Sequence, residues 1–180
     1  MSNVFYIKDK PFKICKGSKL CMEPIFLDTE TSNNHAVDSH ELITWVSSIQ
    51  VLWGDDYWLM RKPEELCQWY RDEVLDKYGL DSGDEFKPKV VTYCHNLNFD
   101  ISYLEPYFKE YLPDPDDDSM SIFQGMNDYL TYCQGCLEWR CSYKLANRSL
   151  YGWGESLNIP KDKRKKLGTY DYNKIIYQGE

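Results

Sequence analysis

Residues 24–34 read Pro24-Ile25-Phe26-Leu27-Asp28-Thr29-Glu30-Thr31-Ser32-Asn33-Asn34. An apolar, β-rich run ends in two acids one residue apart and then turns polar. Side chains alternate across a strand, so Asp28 and Glu30 project from the same face. Two carboxylates that close repel each other and resist joint ionisation unless a cation lies between them. Mg²⁺ or Mn²⁺ suits that place because both prefer hard oxygen ligands. A solvated strand end carrying two acids has the same local pattern, so these residues alone leave both readings open. They do place a first strand over residues 22–30.

A second segment narrows the choice. Val90-Val91-Thr92-Tyr93-Cys94 is another β-rich run, followed by His95-Asn96-Leu97-Asn98-Phe99-Asp100 and then Ile101-Ser102-Tyr103-Leu104 at helical spacing. Strand, polar turn and helix start follow in order, with Asp100 at the helix N-terminus. There the helix dipole alone would favour an acid. If the two strands are neighbours in one sheet, Asp100 meets Asp28 and Glu30. Three carboxylates from two strand ends form a site for one or two hard metals, which can activate water and stabilise the leaving oxygen of a phosphodiester.

Together, Phe26-Leu27-Asp28-Thr29-Glu30-Thr31 and Tyr93-Cys94-His95-Asn96-Leu97-Asn98-Phe99-Asp100 resemble the first and second motifs of DEDD-type 3′-5′ exonucleases. The second motif looks most like the proofreading domain of protein-primed family B DNA polymerases, enzymes of bacteriophages, some other viruses and linear plasmids. The resemblance covers roughly residues 22–176, with the two motifs specific and the remainder weak.

The resemblance implies a role for each matching residue. Asp28, Glu30 and Asp100 would be the catalytic metal ligands of a two-metal Mg²⁺ or Mn²⁺ site. Thr31, Asn96 and Phe99 match positions that hold the 3′ terminus of single-stranded DNA, and Tyr93 and His95 lie in the same motif. Gly168-Thr169-Tyr170-Asp171-Tyr172 resembles a loop with a DNA-contacting tyrosine, which makes Tyr172 the match. The family places a lysine before that loop; Leu167 falls there, with Lys165 and Lys166 adjacent. The largest departure is the third motif, Tyr-x-x-x-Asp, whose Asp is the fourth carboxylate. No such pattern follows Asp100 in this sequence. The expected organisation is therefore an N-terminal arm, residues 1–21, and an exonuclease-like domain, residues 22–180, without its third-motif helix.

Composition bounds the partners. At 180 residues, 42% hydrophobic and 16% aromatic, the chain can bury a sizeable core as one unit. Aromatic side chains also supply surfaces on which bases stack. A net charge of −8 argues against a general coat for DNA backbones. One basic run, Lys161 to Lys166, could contact phosphates or be a solvated loop. The acidic run Asp114, Asp116, Asp117 and Asp118, interleaved with prolines, reads as a loop. No apolar run has the length of a membrane span, and no secretory signal opens the chain, so a cytoplasmic location is expected, the host cytoplasm if phage-encoded.

Seven cysteines, an odd number without a signal peptide, argue against a disulfide framework. Cys133-x-x-Cys136 with Cys141, and Cys15 with Cys21, have spacings a structural zinc could use. Gln134-Gly135 reads equally as a hairpin turn, and reduced thiols are the default. His35 and His40 flank the polar stretch and read as surface residues.

The order of elements predicts the fold. Ile43 to Trp53, a Gly54-Asp55-Asp56 turn and Tyr57 to Arg61 form a hairpin, giving three antiparallel strands in succession. Pro63 opens a helix with Leu66, Trp69, Tyr70, Val74 and Tyr78 on its apolar face, ended by Gly79. Val90 to Cys94 is a strand parallel to the first, and Ile101 to Tyr111 a helix perturbed by Pro106. Two or three short strands follow between Ser119 and Tyr143, with a strand-like run from Leu137 to Leu145, and then a helix from Ser149 to Leu157. The expected class is α/β, ribonuclease H-like, with a mixed five-stranded sheet flanked by helices. The expected function is a metal-dependent 3′-5′ exonuclease acting on single-stranded DNA ends. The alternative is a catalytically weak or inactive relative serving as a DNA- or protein-binding module. Partners would be a DNA 3′ end and either the rest of a polymerase or a host protein, with no membrane.

Overall fold

The strand bearing Asp28 is central to the sheet. The structure, a computed structural model, describes residues 4–7, 10–15, 18–21, 23–35, 42–77, 80, 88–112, 122–123 and 129–161. Three short strands open the chain: β1 (Val4–Ile7), β2 (Lys10–Cys15) and β3 (Ser18–Cys21). An antiparallel meander follows as β4 (Ile25–His35), β5 (Leu42–Trp53) and β6 (Asp56–Met60). β4 is longer than residues 22–30 suggest, because pairing with β5 carries it through the polar Ser32-Asn33-Asn34. The β5–β6 turn is two residues, Gly54-Asp55, with Gly54 at φ +64° as such a hairpin needs.

Helix α1 (Pro63–Trp69) begins as predicted, with Pro63 in its first turn and the Glu65 carboxylate accepting the Arg61 N–H at 2.8 Å. It continues without a break as a wider-wound turn from Tyr70 to Asp76. Widening the winding rotates the later side chains, so the buried face becomes Leu66, Cys67, Trp69, Tyr70, Val74 and Leu75. Tyr78 and Gly79 lie outside the described residues.

β7 (Pro88–Cys94) runs parallel to β4, as expected, and leads into α2 (Leu97–Tyr111), which starts a turn earlier than Ile101. Pro106 sits inside α2 on an exposed position and the helix continues past it. β8 (Ile122–Phe123), β9 (Tyr129–Gln134) and β10 (Leu137–Cys141) follow, then α3 (Ser142–Ala146) and α4 (Leu150–Ser156). The strand expected over Leu137 to Leu145 ends at Cys141. Beyond it, Ser142 starts a helical turn that Asn147 closes in the left-handed region. The Ser149 hydroxyl caps α4 by accepting the Gly152 N–H at 3.1 Å.

Strand order is β6–β5–β4–β7–β10–β9–β8, with β4, β7 and β10 mutually parallel and the other neighbours antiparallel. This is the mixed, helix-flanked α/β sheet the resemblance implies. Where five strands are expected, seven lie along this order, with β9 and β8 at one edge. β3 adds a further parallel pairing to the first residues of β7. The β9–β10 hairpin turn is Gly135-Cys136, one residue later than the expected Gln134-Gly135, with Gly135 at φ +58° and Cys133 paired within β9. Cys133, Cys136 and Cys141 take part in no disulfide.

The core lies between α1, α2 and one face of the sheet. Trp139 stacks on Phe108 with ring centroids 4.5 Å apart and meets Tyr70 edge-on. Its indole N–H donates to the Tyr70 hydroxyl at 2.9 Å, and that hydroxyl lies 2.9 Å from Thr92 Oγ1. The polar side-chain atoms of Tyr70, Thr92 and Trp139 are thus partnered, which removes the cost of burying them. Among the described residues no helix is long and apolar enough to cross a membrane.

Candidate active site

Along β4 the side chains alternate as a pleated strand requires. Leu27, Thr29 and Thr31 are buried on the core side, whereas Phe26 and Asp28 are exposed and Glu30 half-buried on the other. Asp28 and Glu30 thus share one face. Just beyond Glu30 the β4–β5 register jumps from Glu30↔Ser48 to Thr31↔Val46, leaving Ser47 as an extra residue. The Ser47 hydroxyl donates to the Glu30 carbonyl at 3.1 Å. Such a bulge bends a strand and re-aims the side chains beside it.

Asp100 reaches this place by a short route. Asn96 takes a left-handed conformation at φ 74°, which turns the chain from β7 directly into α2. The Phe99 N–H closes that turn on the Asn96 carbonyl at 2.9 Å. Asp100 then lies in the first turn of α2, only 1% exposed. β7 pairs with β4 no further than Leu27↔Cys94, so β4 runs on past its neighbour's end. Asp100 occupies that gap. Its Oδ1 accepts the Thr29 N–H at 3.1 Å and the Thr29 hydroxyl at 2.8 Å.

The two strands are therefore neighbours, as the sequence requires. The direct partner of Asp100, however, is Thr29 on the core face, with Asp28 close enough to act through its charge. Burial pushes the Asp100 carboxyl up to about 7; the Thr29 hydrogen bonds oppose this and the Asp28 negative charge adds to it. Burial raises the neighbouring Cys94 thiol well above its ordinary range, and the charges of Asp100 and Asp28 raise it further.

The remaining sequence-derived residues fall in three places. Tyr93 and His95 line the open side with Asp28: Tyr93 stacks with Phe26 at 6.1 Å, and His95 meets the edge of Tyr143. Asn96 and Phe99 are exposed around the start of α2, with Phe99 edge-on to Tyr103 at 5.3 Å. Thr31 is buried on the core face. Tyr172, Lys165, Lys166, His40 and the acidic run at 114–118 lie outside the described residues. So does the basic run, apart from an exposed Lys161.

A cavity of about 950 Å³ opens on the face that carries Asp28. One row of the sheet supplies its floor: Tyr93, Phe26, Leu52 and Tyr57 are successive cross-strand partners. α3, α4 and the segment between them, with Arg148 and Trp153, form the opposite wall. Four participants were not singled out from the sequence. Phe26 was legible, since a residue two before Asp28 must share its face. Thr29, Ser142 and Arg148 carry no local signal, because their partners are distant in the chain.

Among the described residues no group of three His, Cys, Asp or Glu side chains is arranged to hold a metal ion. Asp28 and Asp100 nonetheless suit a hard cation as a pair. One is open to solvent, the other is buried, and the charge of the first disfavours ionisation of the second. Mg²⁺ commonly takes one or two carboxylates and completes its shell with water and substrate phosphate.

A mixed sheet of this order, flanked by helices, with Asp28 on one central strand and Asp100 in the helix that follows its parallel neighbour, is a ribonuclease H-like fold. Compared by sequence, the chain matches no family model and no curated protein. Compared by structure, it is similar to phi29 DNA polymerase complexed with primer-template DNA in a post-translocation binary complex. That match has a TM-score of 0.60 and 15% identity over 87% of this chain and 26% of the polymerase. The same polymerase in a ternary complex with primer-template DNA and incoming nucleotides matches with a TM-score of 0.58 and 14% identity, over 85% of this chain and 25% of the polymerase. The chain spans about a quarter of the length of these polymerases. At such identity the likeness establishes the fold.

Proposed function

We propose that the chain is a metal-dependent 3′-5′ exonuclease acting on single-stranded DNA ends. The observation that carries this reading is Asp100. It is a buried carboxyl fixed by two hydrogen bonds to Thr29, beside Asp28, at the point where β4 outruns β7. A protein gains no stability by burying an acid next to another acid, so the arrangement needs a reason in chemistry. The likeness to a polymerase bound to primer-template DNA supports nucleic acid as the substrate class.

Asp28 and Asp100 would hold the ion, with Glu30 on the same strand face as Asp28 as the third oxygen donor. The ion would supply Lewis-acid activation of water and charge neutralisation at the departing oxygen. Thr29 keeps the Asp100 carboxylate in one orientation and opposes its protonation, through both of its donors. Phe99, exposed in the first turn of α2 next to Asp100 in sequence, would offer a ring to a terminal base or sugar, and Asn96 an amide to the strand end. The lysines at 165 and 166 and Tyr172 belong to this proposal as strand contacts.

The test is degradation of 5′-labelled single-stranded DNA with Mg²⁺, Mn²⁺ or chelator, beside Asp28→Ala. The expected result is a metal-dependent ladder shortening from the 3′ end and absent in the variant. No cleavage in either metal would overturn the nuclease reading, and strand retention without cleavage would make the chain a DNA-binding module. Matched RNA strands show whether a 2′-hydroxyl is tolerated.

A further inference from the structure

The sheet ends differently at its two sides. β8 closes one side with two residues and a register shift against β9, the short and irregular form that keeps an edge from pairing. β6 closes the other with five residues, Asp-Tyr-Trp-Leu-Met, in unbroken register with β5. It carries no lysine, proline or bulge, the devices that usually blunt an edge. Tyr57 and Leu59 are 57% and 53% exposed, and among the described residues no strand covers the outer side of β6.

Backbone parity decides what that side offers. The Gly54-Asp55 turn holds Trp53 and Asp56 as a hydrogen-bonded pair, so Asp56, Trp58 and Met60 turn their backbone groups toward β5. The N–H and C=O groups of Tyr57 and Leu59 point the other way. Charge divides along the same segment: Asp55 and Asp56 stand at its start, Arg61 and Lys62 just past its end.

We propose that this edge pairs with the same edge of a second copy of the chain, antiparallel about a two-fold axis at Leu59. An axis normal to the sheet keeps each side chain on its own face, so opposed residues must share parity. Centred on Leu59, the pairing sets Asp56 against Lys62, Tyr57 against Arg61 and Trp58 against Met60 of the second copy. Leu59 meets Leu59, and the two exchange both backbone bonds. The Tyr57 N–H meets the Arg61 carbonyl, while the Arg61 N–H is already held by Glu65 at 2.8 Å, which ends the ladder there. Acids thus face bases at both ends and two exposed leucines cover each other. Trp58, packed against Trp69 at 5.1 Å, gains a thioether neighbour. A parallel pairing in register would set acid beside acid. An unrelated strand would use the backbone groups and leave the charge division unexplained. Asp28, Gln50 and Leu59 are successive cross-strand partners, so the joined sheet carries one carboxylate site on each side of the axis. The two Asp28 residues then lie about 24 Å apart along the sheet, at ~4.8 Å per strand.

The test is sedimentation equilibrium of the full chain over a concentration series, in chelator and without DNA. The expected result is a reversible rise from the mass of one chain to the mass of two. Leu59→Pro should abolish it, because the lost N–H faces outward and a proline on that side of an edge strand leaves the β5 ladder whole. Asp56→Lys and Lys62→Glu should each weaken the dimer about tenfold by placing like charges across the axis, and the double variant should restore it. If Leu59→Pro melts early, the charge exchange carries the decision alone. The pairing is overturned by a chain that stays monomeric up to its solubility limit, or by a mass that climbs past two chains. A dimer that survives in a folded Leu59→Pro, or a double variant no better than the single ones, overturns it equally. Cleavage plays no part in the readout, so the exonuclease reading stands or falls separately.

Discussion

The two faces of the central sheet are built to opposite rules. Toward α1 and α2, the side chains of Ile25, Leu27, Val51, Val90 and Trp139 are buried, and the Tyr70, Thr92 and Trp139 polar atoms are partnered. On the other face the row from Tyr93 to Tyr57 stays open above a cavity. β4 contributes to both, with Leu27, Thr29 and Thr31 serving the core while Phe26 and Asp28 look outward. A strand can in this way carry stability on one parity of residues and chemistry on the other, and each can change without the other. Asp100 is the exception, because it is anchored to the core face through Thr29 yet feels the charge of Asp28.

Substitutions on either face put this contrast at risk. Asp28→Ala is expected to drop nuclease activity to background while leaving stability within about 0.5 kcal/mol, as for an exposed position. A large fall in melting temperature would show that the outward face supports the fold after all. Trp139→Ala should do the reverse, costing ~3–5 kcal/mol in denaturant unfolding, because it empties the centre of the aromatic cluster.

Asp100→Asn tests the residue that belongs to both faces. The native carboxyl holds its proton up to about 7, against about 3.8 in the unfolded chain. Between those values the unfolded state releases the proton first, so native stability declines as pH rises through that window and levels off above it. An asparagine side chain has no such proton, and its oxygen can still accept from Thr29. The variant should therefore match the wild type near pH 4 and exceed it by a few kcal/mol, as an order of magnitude, at pH 8 in chelator. It should also lack cleavage. An unchanged pH–stability curve would sink the account of Asp100. Thr29→Val is the smallest of these changes. It removes one hydrogen bond to Asp100, worth about 1 kcal/mol, and should shift the pH profile of activity upward by relaxing the hold on the ionised form.

Much of this was legible in the sequence wherever the signal is local. The Gly54 hairpin, the Pro63 helix start and the parity of Asp28 and Glu30 follow from turn chemistry, fixed φ and the two-residue period. What escaped depends on distance. Thr29 and Asp100 are 71 residues apart, and nothing in either segment announces that a hydroxyl and an amide will share one carboxylate oxygen. The widened turn after Trp69 looks like ordinary helix in sequence, since one shifted hydrogen bond leaves composition untouched. Leu137 to Leu145 keeps a strand-like alternation past Cys141, but β7 ends at the matching Cys94. With no further neighbour to pair, the chain folds back on itself as α3.

β3 and β4 lie end to end along the same edge of β7, β3 covering Pro88 and Lys89 and β4 covering Thr92 to Cys94. A chain trimmed to begin at residue 22 would keep Asp28, Glu30, Asp100 and the whole cavity. It would also uncover the first part of an interior strand, whose free backbone groups invite pairing with another copy. Such a trimmed protein is expected to keep its site and to self-associate more readily than the full chain.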